Sequence, residues 1–311
     1  MKIYINREPV SGPWGGGNKT LTALIDKIEK EGSQVTFDLT ESDIDIIFCF
    51  DPRPNSQGTW YQDFLDYREN NKNTKIIQRV GDIGSHSKPE LTQLVMQSTQ
   101  FSDFIIFPSR WARDAIQFKK SNCTIVKNCP MPIFYKNRQR DGLVNAGVNN
   151  KIRVVTHHWS TNPKKGFDVY RDLSRLIKDR EDIEFSYIGR LPDSFDKNIF
   201  SQYIEPQDEE SLSMLLPQYD IYITASIEEA GANHPLEAMA AGLPVIYHEL
   251  GGSIPEYCDE YGIQYGNSHS LIESIDLMIK MYPFYKERIL KYNRTNLEMS
   301  EEYWRVICAI V

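Results

Sequence analysis

The chain reads Ile221-Tyr-Ile-Thr-Ala-Ser-Ile-Glu-Glu-Ala-Gly-Ala-Asn-His-Pro-Leu-Glu-Ala-Met-Ala-Ala-Gly-Leu-Pro-Val-Ile246 in its second half. The apolar run at each end predicts a strand, and the small residues after the first strand predict a loop. Pro235 suits the first turn of a helix, which Gly242 then stops. We expect the backbone N–H groups from Ala232 to His234 to be free at the positive end of the helix dipole, where an anion binds well.

The same alternation of strands and helices continues on both sides of this unit. Apolar runs with helical stretches between them predict strands at residues 1–5, 35–39, 44–50, 76–80, 104–108, 124–126, 153–156, 185–188, 221–224 and 245–248. Strands that alternate with helices predict parallel sheets covered on both faces. The predicted fold class is therefore α/β, with two doubly wound, Rossmann-like halves.

A polar segment separates the two halves. Residues 135–151 lose the hydrophobic period and are rich in turn-forming residues, which is typical of a domain junction. We expect an N-terminal domain over residues 1–140, a C-terminal domain over 150–290, and a C-terminal helix over 291–311 that is able to pack back on the N-terminal domain. Two such domains would face each other across a cleft at the carboxyl ends of their strands, where ligands of such sheets bind.

Length and composition indicate an ordinary globular protein. The 311 residues suit two domains, and 41% hydrophobic with 25% charged residues leave no apolar stretch of about 20 residues that would span a bilayer. A formal net charge of −8 argues against a nucleic-acid partner. The N-terminus reads as a strand rather than a secretory signal, so we expect a cytoplasmic protein, for which peripheral contact with a membrane stays open. Five cysteines without a Cys-x-x-Cys pair predict reduced thiols.

Two carboxylates frame the predicted loop. Glu229 precedes the helix and Glu237 lies in its opening turns, so both can point into one pocket and accept hydrogen bonds from hydroxyl groups. This pair, followed by Ala-Met-Ala-Ala-Gly-Leu-Pro-Val, resembles the signature of retaining glycosyltransferase family 4, the glycosyl transferases group 1 with the GT-B fold. The resemblance implies that Glu229 contacts the donor hexose and Glu237 the nucleotide ribose. Helix capping is the alternative reading of either glutamate.

The same resemblance extends to the loop between the two glutamates and to an earlier segment. It implies that the amides of Gly231, Ala232, Asn233 and His234 contact the donor diphosphate. In the segment that begins at Val155, Lys165 takes the position of the family lysine that neutralises the leaving diphosphate. Lys164 and Lys165 read otherwise as solvated loop charges.

A basic residue of the family pattern is absent from this segment. The family often carries an arginine five residues before the lysine, and Ser160 stands there. Arg190, at the end of the strand predicted at 185–188, is a candidate to replace that arginine or to contact the nucleotide base. One of the two cations that the family usually places at the donor diphosphate is therefore missing unless Arg190 supplies it.

Histidines do not predict a metal site. His157 and His158 are adjacent, which points them to opposite faces of an extended chain, and no Cys/His/Asp cluster is near them in sequence. The resemblance likewise implies activity without a metal and without a tightly bound cofactor. The donor substrate would be a nucleoside-diphosphate sugar, with UDP or GDP as the nucleotide.

The first half carries a glycine-rich loop and a charged strand end. The stretch Ser11-Gly-Pro-Trp-Gly-Gly-Gly-Asn18 is no dinucleotide fingerprint, because the third glycine would fall at Thr20. The resemblance implies that Gly16 and Gly17 border the acceptor and the donor diphosphate, and that Arg79 and Asp82 contact the acceptor. A surface turn and a buried Arg79–Asp82 pair remain the alternatives.

The resemblance implies a glycosyltransferase of glycan biosynthesis. It would move a hexosyl group from a nucleoside-diphosphate sugar to a hydroxyl acceptor, such as a glycan or a lipid-linked sugar, with retention of anomeric configuration. Two alternatives stay open, a sugar-nucleotide epimerase of similar fold and a catalytically weak protein that binds nucleotide sugars. A nicotinamide-dependent dehydrogenase is disfavoured by the glycine spacing.

Overall fold

The computed structural model describes residues 1–10, 16–138 and 151–310. Residues 11–15 of the glycine-rich loop and 139–150 of the predicted junction lie outside the described residues. The chain divides into two compact units, one made of Met1–Asn128 with Asn296–Val311 and the other of Cys129–Thr295.

The first unit is a parallel α/β sheet. Its elements in residues 1–128 are β1 (Lys2–Ile5), α1 (Gly16–Lys30), β2 (Gln34–Thr36), β3 (Ile46–Cys49), α2 (Tyr61–Asn70), β4 (Lys75–Arg79), α3 (Pro89–Phe101), β5 (Phe104–Phe107), α4 (Arg110–Ala115) and β6 (Cys123–Ile125). The strand order is β2-β1-β3-β4-β5-β6, and every pair is parallel. Strands such as β3, buried at all four residues, read as apolar runs because both sheet faces are covered.

The second unit repeats the architecture. Its elements are α5 (Ile133–Lys136), β7 (Ile152–His158), α6 (Phe167–Leu176), β8 (Ile183–Gly189), β9 (Gln202–Ile204), α7 (Glu209–Leu215), β10 (Ile221–Thr224), α8 (His234–Ala240), β11 (Val245–His248), α9 (Ser253–Cys258), β12 (Gly262–Tyr265), α10 (Ser268–Lys280) and α11 (Tyr282–Ile289). The order is β12-β11-β10-β7-β8-β9, again all parallel. The prediction of two doubly wound α/β halves is confirmed.

The last helix, α12 (Asn296–Ile310), closes the chain within the first unit, where it contacts α1. The sequence predicted a C-terminal helix over 291–311, and the helix begins five residues later, at Asn296. Met299, Tyr303 and Ile307 form its buried row at a spacing of four.

Each sheet has one point where the strand order reverses direction. In the first sheet this point lies between β1 and β3, and in the second it lies between β7 and β10. Loops leave the carboxyl ends of neighbouring strands in opposite directions there, which opens a crevice for ligands. The predicted site residues of the second unit follow β7 and β10, except for Arg190, which follows β8.

Candidate functional site

The loop between β10 and α8 is held in place by two glycine turns. Gly166 has φ +81°, and a β-carbon there would lie 2.5 Å from the carbonyl oxygen of Ala225. Gly252 has φ +70°, and a β-carbon there would lie 2.4 Å from the carbonyl oxygen of Glu229. Only glycine combines a positive φ with such close backbone contact. The loop between β10 and α8 therefore packs between the turn after β7 and the turn after β11.

Backbone hydrogen bonds complete this arrangement. Ile227 N–H donates to the carbonyl of Lys164 at 2.9 Å, and Glu228 N–H donates to the carbonyl of Leu250 at 2.9 Å. Ser253 N–H donates to the carbonyl of Glu229 at 2.8 Å. The backbone that carries Glu229 is thus fixed from both sides before any ligand is bound.

Lys165 and Glu229 form an ion pair across this junction. Lys165 Nζ lies 2.5 Å from Glu229 Oε1, and the two side chains are only 13% and 12% exposed. The neighbouring residues Lys164 and Glu228 also pair, but their side chains are 28% and 44% exposed. Glu229, the predicted site residue, is therefore in the more buried of the two ion pairs.

Glu237 forms a second buried pair with a histidine of β7. His157 Nε2 lies 2.9 Å from Glu237 Oε2, and the side chains are 9% and 8% exposed. The sequence predicted Glu237 as a site residue and left His157 without a partner. Nothing in the sequence joins the two, because they are 80 positions apart. Helix α8, every residue of which is buried, carries Glu237 to this position.

A buried polar network lies next to these pairs. Tyr170 OH accepts the N–H of Ala225 at 2.9 Å and lies 2.6 Å from His158 Nε2. Burial, with smaller contributions from Lys165 and His157, lowers the pKa of His158 well below its ordinary value, so this imidazole is neutral at pH 7. His234 Nε2 lies 2.9 Å from Thr224 Oγ1, which fixes the start of α8 against β10.

The loop amides differ from the prediction at one residue. Ala232 N–H donates to Ser253 Oγ at 3.0 Å, so the expectation that this amide is free is wrong. Ser253 is fully buried at the start of α9 and needs a partner, which the amide supplies. Gly231 and Asn233 are half-buried, and Asn233 is the residue that precedes α8.

Ser160 and Arg190 lie at the carboxyl edge of β7 and β8. Ser160 is exposed, and its hydroxyl accepts the N–H of Asn162 at 3.2 Å. The guanidinium of Arg190 stacks on the ring of Trp159 at 4.1 Å from the centroid. Arg190 N–H donates to the carbonyl of His158 at 3.0 Å. Sequence reasoning missed Trp159, although an exposed tryptophan at the end of a buried strand is a usable signal.

Gly17 and Arg79, both predicted site residues of the first unit, lie next to the ring of Phe50. Gly16 and Gly17 open α1. Arg79 is buried, donates through Nε to Tyr303 OH at 3.2 Å and lies over the ring of Phe50 at 4.6 Å. Its partner is therefore the last helix, and the alternative of an Arg79–Asp82 pair is wrong.

Asp82 has a different cation as its partner. Lys88 Nζ lies 2.8 Å from Asp82 Oδ2, and Gly84 N–H donates to Asp82 Oδ1 at 2.9 Å. Burial opposes ionisation of this carboxyl, but the hydrogen bonds from Lys88 and Gly84 outweigh it and lower the pKa of Asp82. Asp82 is therefore an ionised carboxylate in the first unit.

A groove of about 690 Å³ opens at the switch point of the first sheet. It is lined by the segments that follow β1 and β3, including Arg7, Asp51, Arg53, Asn55 and Gln57. Sequence reasoning missed this groove. Its signal was the run Asp51-Pro-Arg-Pro-Asn55, in which turn formers and charges follow an apolar strand directly.

Asn6 is the anchor of this groove. Its Oδ1 accepts the N–H groups of Phe50 at 2.7 Å and Asp51 at 3.3 Å, and its Nδ2 donates to the carbonyl of Asp51. Asp51 also pairs with Arg53. One buried side chain of β1's carboxyl end thus fixes the start of the loop after β3.

The described ranges, 1–10, 16–138 and 151–310, contain no group of three His, Cys, Asp or Glu side chains arranged to hold a metal ion. In these ranges no helix has both the length and the apolar character needed to cross a membrane.

Residues 151–280 match the family model described as Glycosyl transferases group 1. The matched residues make up most of the second unit. The matched range contains both ion pairs, the glycine turns and Arg190, so the predicted resemblance is confirmed in the part of the chain that carries them. A comparison with curated proteins found no match by sequence.

Solved structures of similar fold align with nearly the whole chain. Sucrose-phosphate synthase from Thermosynechococcus elongatus aligns with a TM-score of 0.69 at 13% identity, covering 99% of this chain and 100% of that one. Anabaena Alr3699/HepE in complex with UDP aligns with a TM-score of 0.70 at 14% identity, covering 99% of each chain. WaaG, a glycosyltransferase involved in lipopolysaccharide biosynthesis, gives 0.66 at 13%, again with 99% of each chain covered. The predicted GT-B fold, which has two Rossmann-like domains, is confirmed.

Proposed function

We propose that the protein transfers a hexosyl group from a nucleoside-diphosphate sugar to a hydroxyl acceptor, with retention of anomeric configuration. One observation carries the proposal: a buried lysine–carboxylate pair, Lys165 with Glu229, is held by two glycine turns at the switch point of the second sheet, within the residues that match the family model. Glu237 is buried at the same switch point. A cation and two carboxylates in fixed positions suit a ligand that is anionic at one end and rich in hydroxyl groups elsewhere.

Lys165 is proposed to bind the diphosphate. Its ammonium is nearly buried, so its attraction for a phosphate oxygen is much larger than that of an exposed lysine. Opposite unit charges about 4 Å apart attract by roughly 4 kcal/mol at an effective dielectric constant near 20. As the bond between the anomeric carbon and the phosphate oxygen breaks, negative charge grows on the diphosphate, and the lysine stabilises it.

Glu229 and Glu237 are proposed to bind hydroxyl groups, Glu229 on the transferred hexose and Glu237 on the ribose. Gly231, Asn233 and His234 are proposed to border the diphosphate, together with Gly17 and Ser160. The proton of the acceptor hydroxyl passes to the leaving phosphate oxygen as the new glycosidic bond forms, so no protein base is required. No metal ion is part of this proposal.

Arg190 is proposed as the second cation of the donor site. It would take the role of the family arginine, at whose position this chain has Ser160. The guanidinium is exposed and stacked on Trp159, so its direction is set by a flat ring while its N–H groups stay available to a ligand. UDP is the first nucleotide to test, because the HepE structures contain UDP and UDP-glucose. GDP is the second.

The acceptor side is proposed to include the groove of the first unit. It combines guanidinium, carboxylate and amide groups with the apolar Phe37 and Pro54, which is the mixture of planar polar and apolar surface that binds a sugar. Gly16, Arg79 and Asp82 stay proposals for acceptor contacts. Of the two side chains, Asp82 is the more accessible, since Arg79 is only 4% exposed.

A two-stage experiment tests this function. Thermal unfolding with UDP, GDP, ADP and their sugars first shows which nucleotide raises the melting temperature. The purified protein is then incubated with the matching radiolabelled donor and a panel of sugar acceptors, and the anomeric configuration of the product is determined by NMR. Transfer with retention supports the proposal, and the absence of both transfer and donor hydrolysis for every donor refutes it.

A further inference from the structure

His157 is built into the second unit in an unusual way. It is the penultimate residue of β7, it is 7% exposed, and its Nε2 points at Glu237 Oε2 from 2.9 Å. A buried carboxylate is strongly destabilised unless hydrogen-bond donors surround it, so this contact matters for the state of Glu237. The pair lies at the switch point where β7 and β10 are neighbours.

The imidazole ring is fixed from several sides. The ring of Tyr222 lies 5.4 Å away at 64°, and the ring of His234 lies 6.2 Å away at 89°. The main chain of His157 is held as well, because its N–H donates to Tyr222 OH and its carbonyl accepts from the same hydroxyl, both at 3.3 Å. The side chain therefore presents Nε2 to Glu237 in one orientation.

The second ring nitrogen makes the arrangement informative. His157 Nδ1 is buried and has no hydrogen-bond partner among the residues that the structure describes. A buried polar atom without a partner destabilises the fold, and an apolar residue at this position would avoid that penalty. Within the described ranges, the one hydrogen bond of the ring goes to Glu237. The position of the ring therefore serves the carboxylate, while Nδ1 stays without a partner there.

We propose that His157 is a positioning residue that fixes the carboxylate of Glu237 for recognition of the nucleotide ribose. By binding Oε2 it sets the plane of the carboxylate before the ligand arrives, so that the two neighbouring hydroxyls of a ribose meet acceptors with a fixed direction. This inference rests on the proposed function. Preorganisation of this kind lowers the entropy lost on binding.

The proposal predicts a particular kinetic signature. The ribose lies far from the anomeric carbon, so its contacts are the same in the ground state and the transition state. Loss of His157 therefore raises KM for the donor and leaves kcat nearly unchanged. A residue that only supports the fold would lower the active fraction, and with it kcat, at unchanged KM.

Three variants and a control test this inference. His157→Gln places an amide N–H near the Nε2 position, whereas His157→Asn places its amide near Nδ1 and does not reach Glu237. His157→Ala removes both nitrogens, and His269→Ala changes a histidine whose side chain is 88% exposed on α10. The dissociation constant for the nucleotide that stabilises the wild type is measured by calorimetry, and KM and kcat are measured with its sugar.

We expect His157→Ala and His157→Asn to weaken nucleotide binding about tenfold, the value of one hydrogen bond to a charged group, with kcat within about twofold of the wild type. We expect His157→Gln to stay within about threefold of wild-type affinity. Equal affinity for all variants, or equal losses with Gln and Asn, overturns the inference. If His157→Ala does not fold, the Gln and Asn variants decide alone.

The two proposals fail differently. A wild-type protein that binds no nucleoside diphosphate overturns the proposed function. A wild-type protein that binds the nucleotide as tightly as its His157→Asn variant leaves the proposed function intact and overturns only the role of His157.

Discussion

Lys165 Nζ lies 2.5 Å from Glu229 Oε1, and this contact joins the turn after β7 to the loop after β10. Both side chains are largely buried, whereas the neighbouring pair of Lys164 and Glu228 is more exposed. Two adjacent lysines thus differ in accessibility while they share a loop and a kind of partner. Lys164 is therefore a matched control for Lys165, the residue proposed to bind the diphosphate.

Lys165→Ala is expected to lower kcat by about 100-fold or more, because removal of one preorganised group that stabilises developing charge has an effect of that size. Lys164→Ala is expected to stay within about threefold of the wild type, since exposed ion pairs contribute little. Initial rates at saturating donor provide the measurement, and circular dichroism confirms that both variants are folded. Similar losses for both lysines would contradict the assignment of Lys165.

Gly252→Ala is expected to destabilise the protein and weaken nucleotide binding together. The added β-carbon would lie 2.4 Å from the carbonyl oxygen and 2.6 Å from the amide nitrogen of Glu229, so the backbone of the loop must shift. We expect a loss of about 3 kcal/mol in the free energy of unfolding, measured by denaturant titration.

Gly32→Ala is the control for backbone strain alone. Gly32 also has a positive φ, +75°, but no atom of the described part of the chain lies within 4 Å of the added β-carbon. This variant should lose about 1 kcal/mol and bind nucleotide as the wild type does. If Gly32→Ala and Gly252→Ala were equally stable, the close contact with Glu229 would have no energetic role.

The second unit was the more predictable from sequence because its signals are local. The strand at 221–224, the helix start at Pro235 and the glycine stop at Gly242 lie within one short stretch, and the structure has β10, α8 and a turn there. Fixed spacing along the chain also brings Glu229 and Glu237 to one switch point. Local patterns of this kind depend on backbone preferences, which a sequence expresses directly.

The partners of those residues were not predictable in the same way. The contacts of Glu237 with His157 and of Arg79 with Tyr303 join positions 80 and 224 residues apart. Such contacts depend on strand order and on where the last helix packs, and both follow from the whole fold. The amide of Ala232 was predicted to be free for the same reason, since Ser253 approaches it only in the folded chain.

The protein is expected to lose stability as the pH falls below about 6.5, in part through His158. Burial lowers the pKa of His158 in the folded state, so below pH 6.5 the unfolded chain takes up a proton that the folded chain does not. The contribution of neutral His158 to the free energy of unfolding is therefore fully present above the pKa of this histidine in the unfolded chain. Below that pKa it is lost by up to about 1.4 kcal/mol per pH unit. His248, whose pKa is also lowered by burial, contributes in the same direction.

His158→Gln isolates this contribution, because glutamine keeps an acceptor for Tyr170 OH and does not titrate. We expect the difference in unfolding free energy between pH 7.5 and about pH 5.5 to be smaller in this variant than in the wild type by about 1 kcal/mol. His269→Gln, on the exposed surface of α10, should keep the wild-type difference. A wild-type slope in His158→Gln would show that His158 is not the group responsible.

Asn6→Ala is expected to impair the acceptor side without affecting the nucleotide. The substitution removes the acceptor for the N–H groups of Phe50 and Asp51, which fix the start of the loop that lines the groove. A buried N–H left without a partner costs about 1–3 kcal/mol, so the loop should shift to recover one. KM for the acceptor should rise, while calorimetry should give an unchanged dissociation constant for the nucleotide, because the residues proposed to bind the nucleotide in the second unit are intact.

Asn70→Ala, at the exposed end of α2, is the control in the same unit and should change neither quantity. A rise in the nucleotide dissociation constant, or an unchanged KM for the acceptor, would contradict the proposal that this groove belongs to the acceptor side.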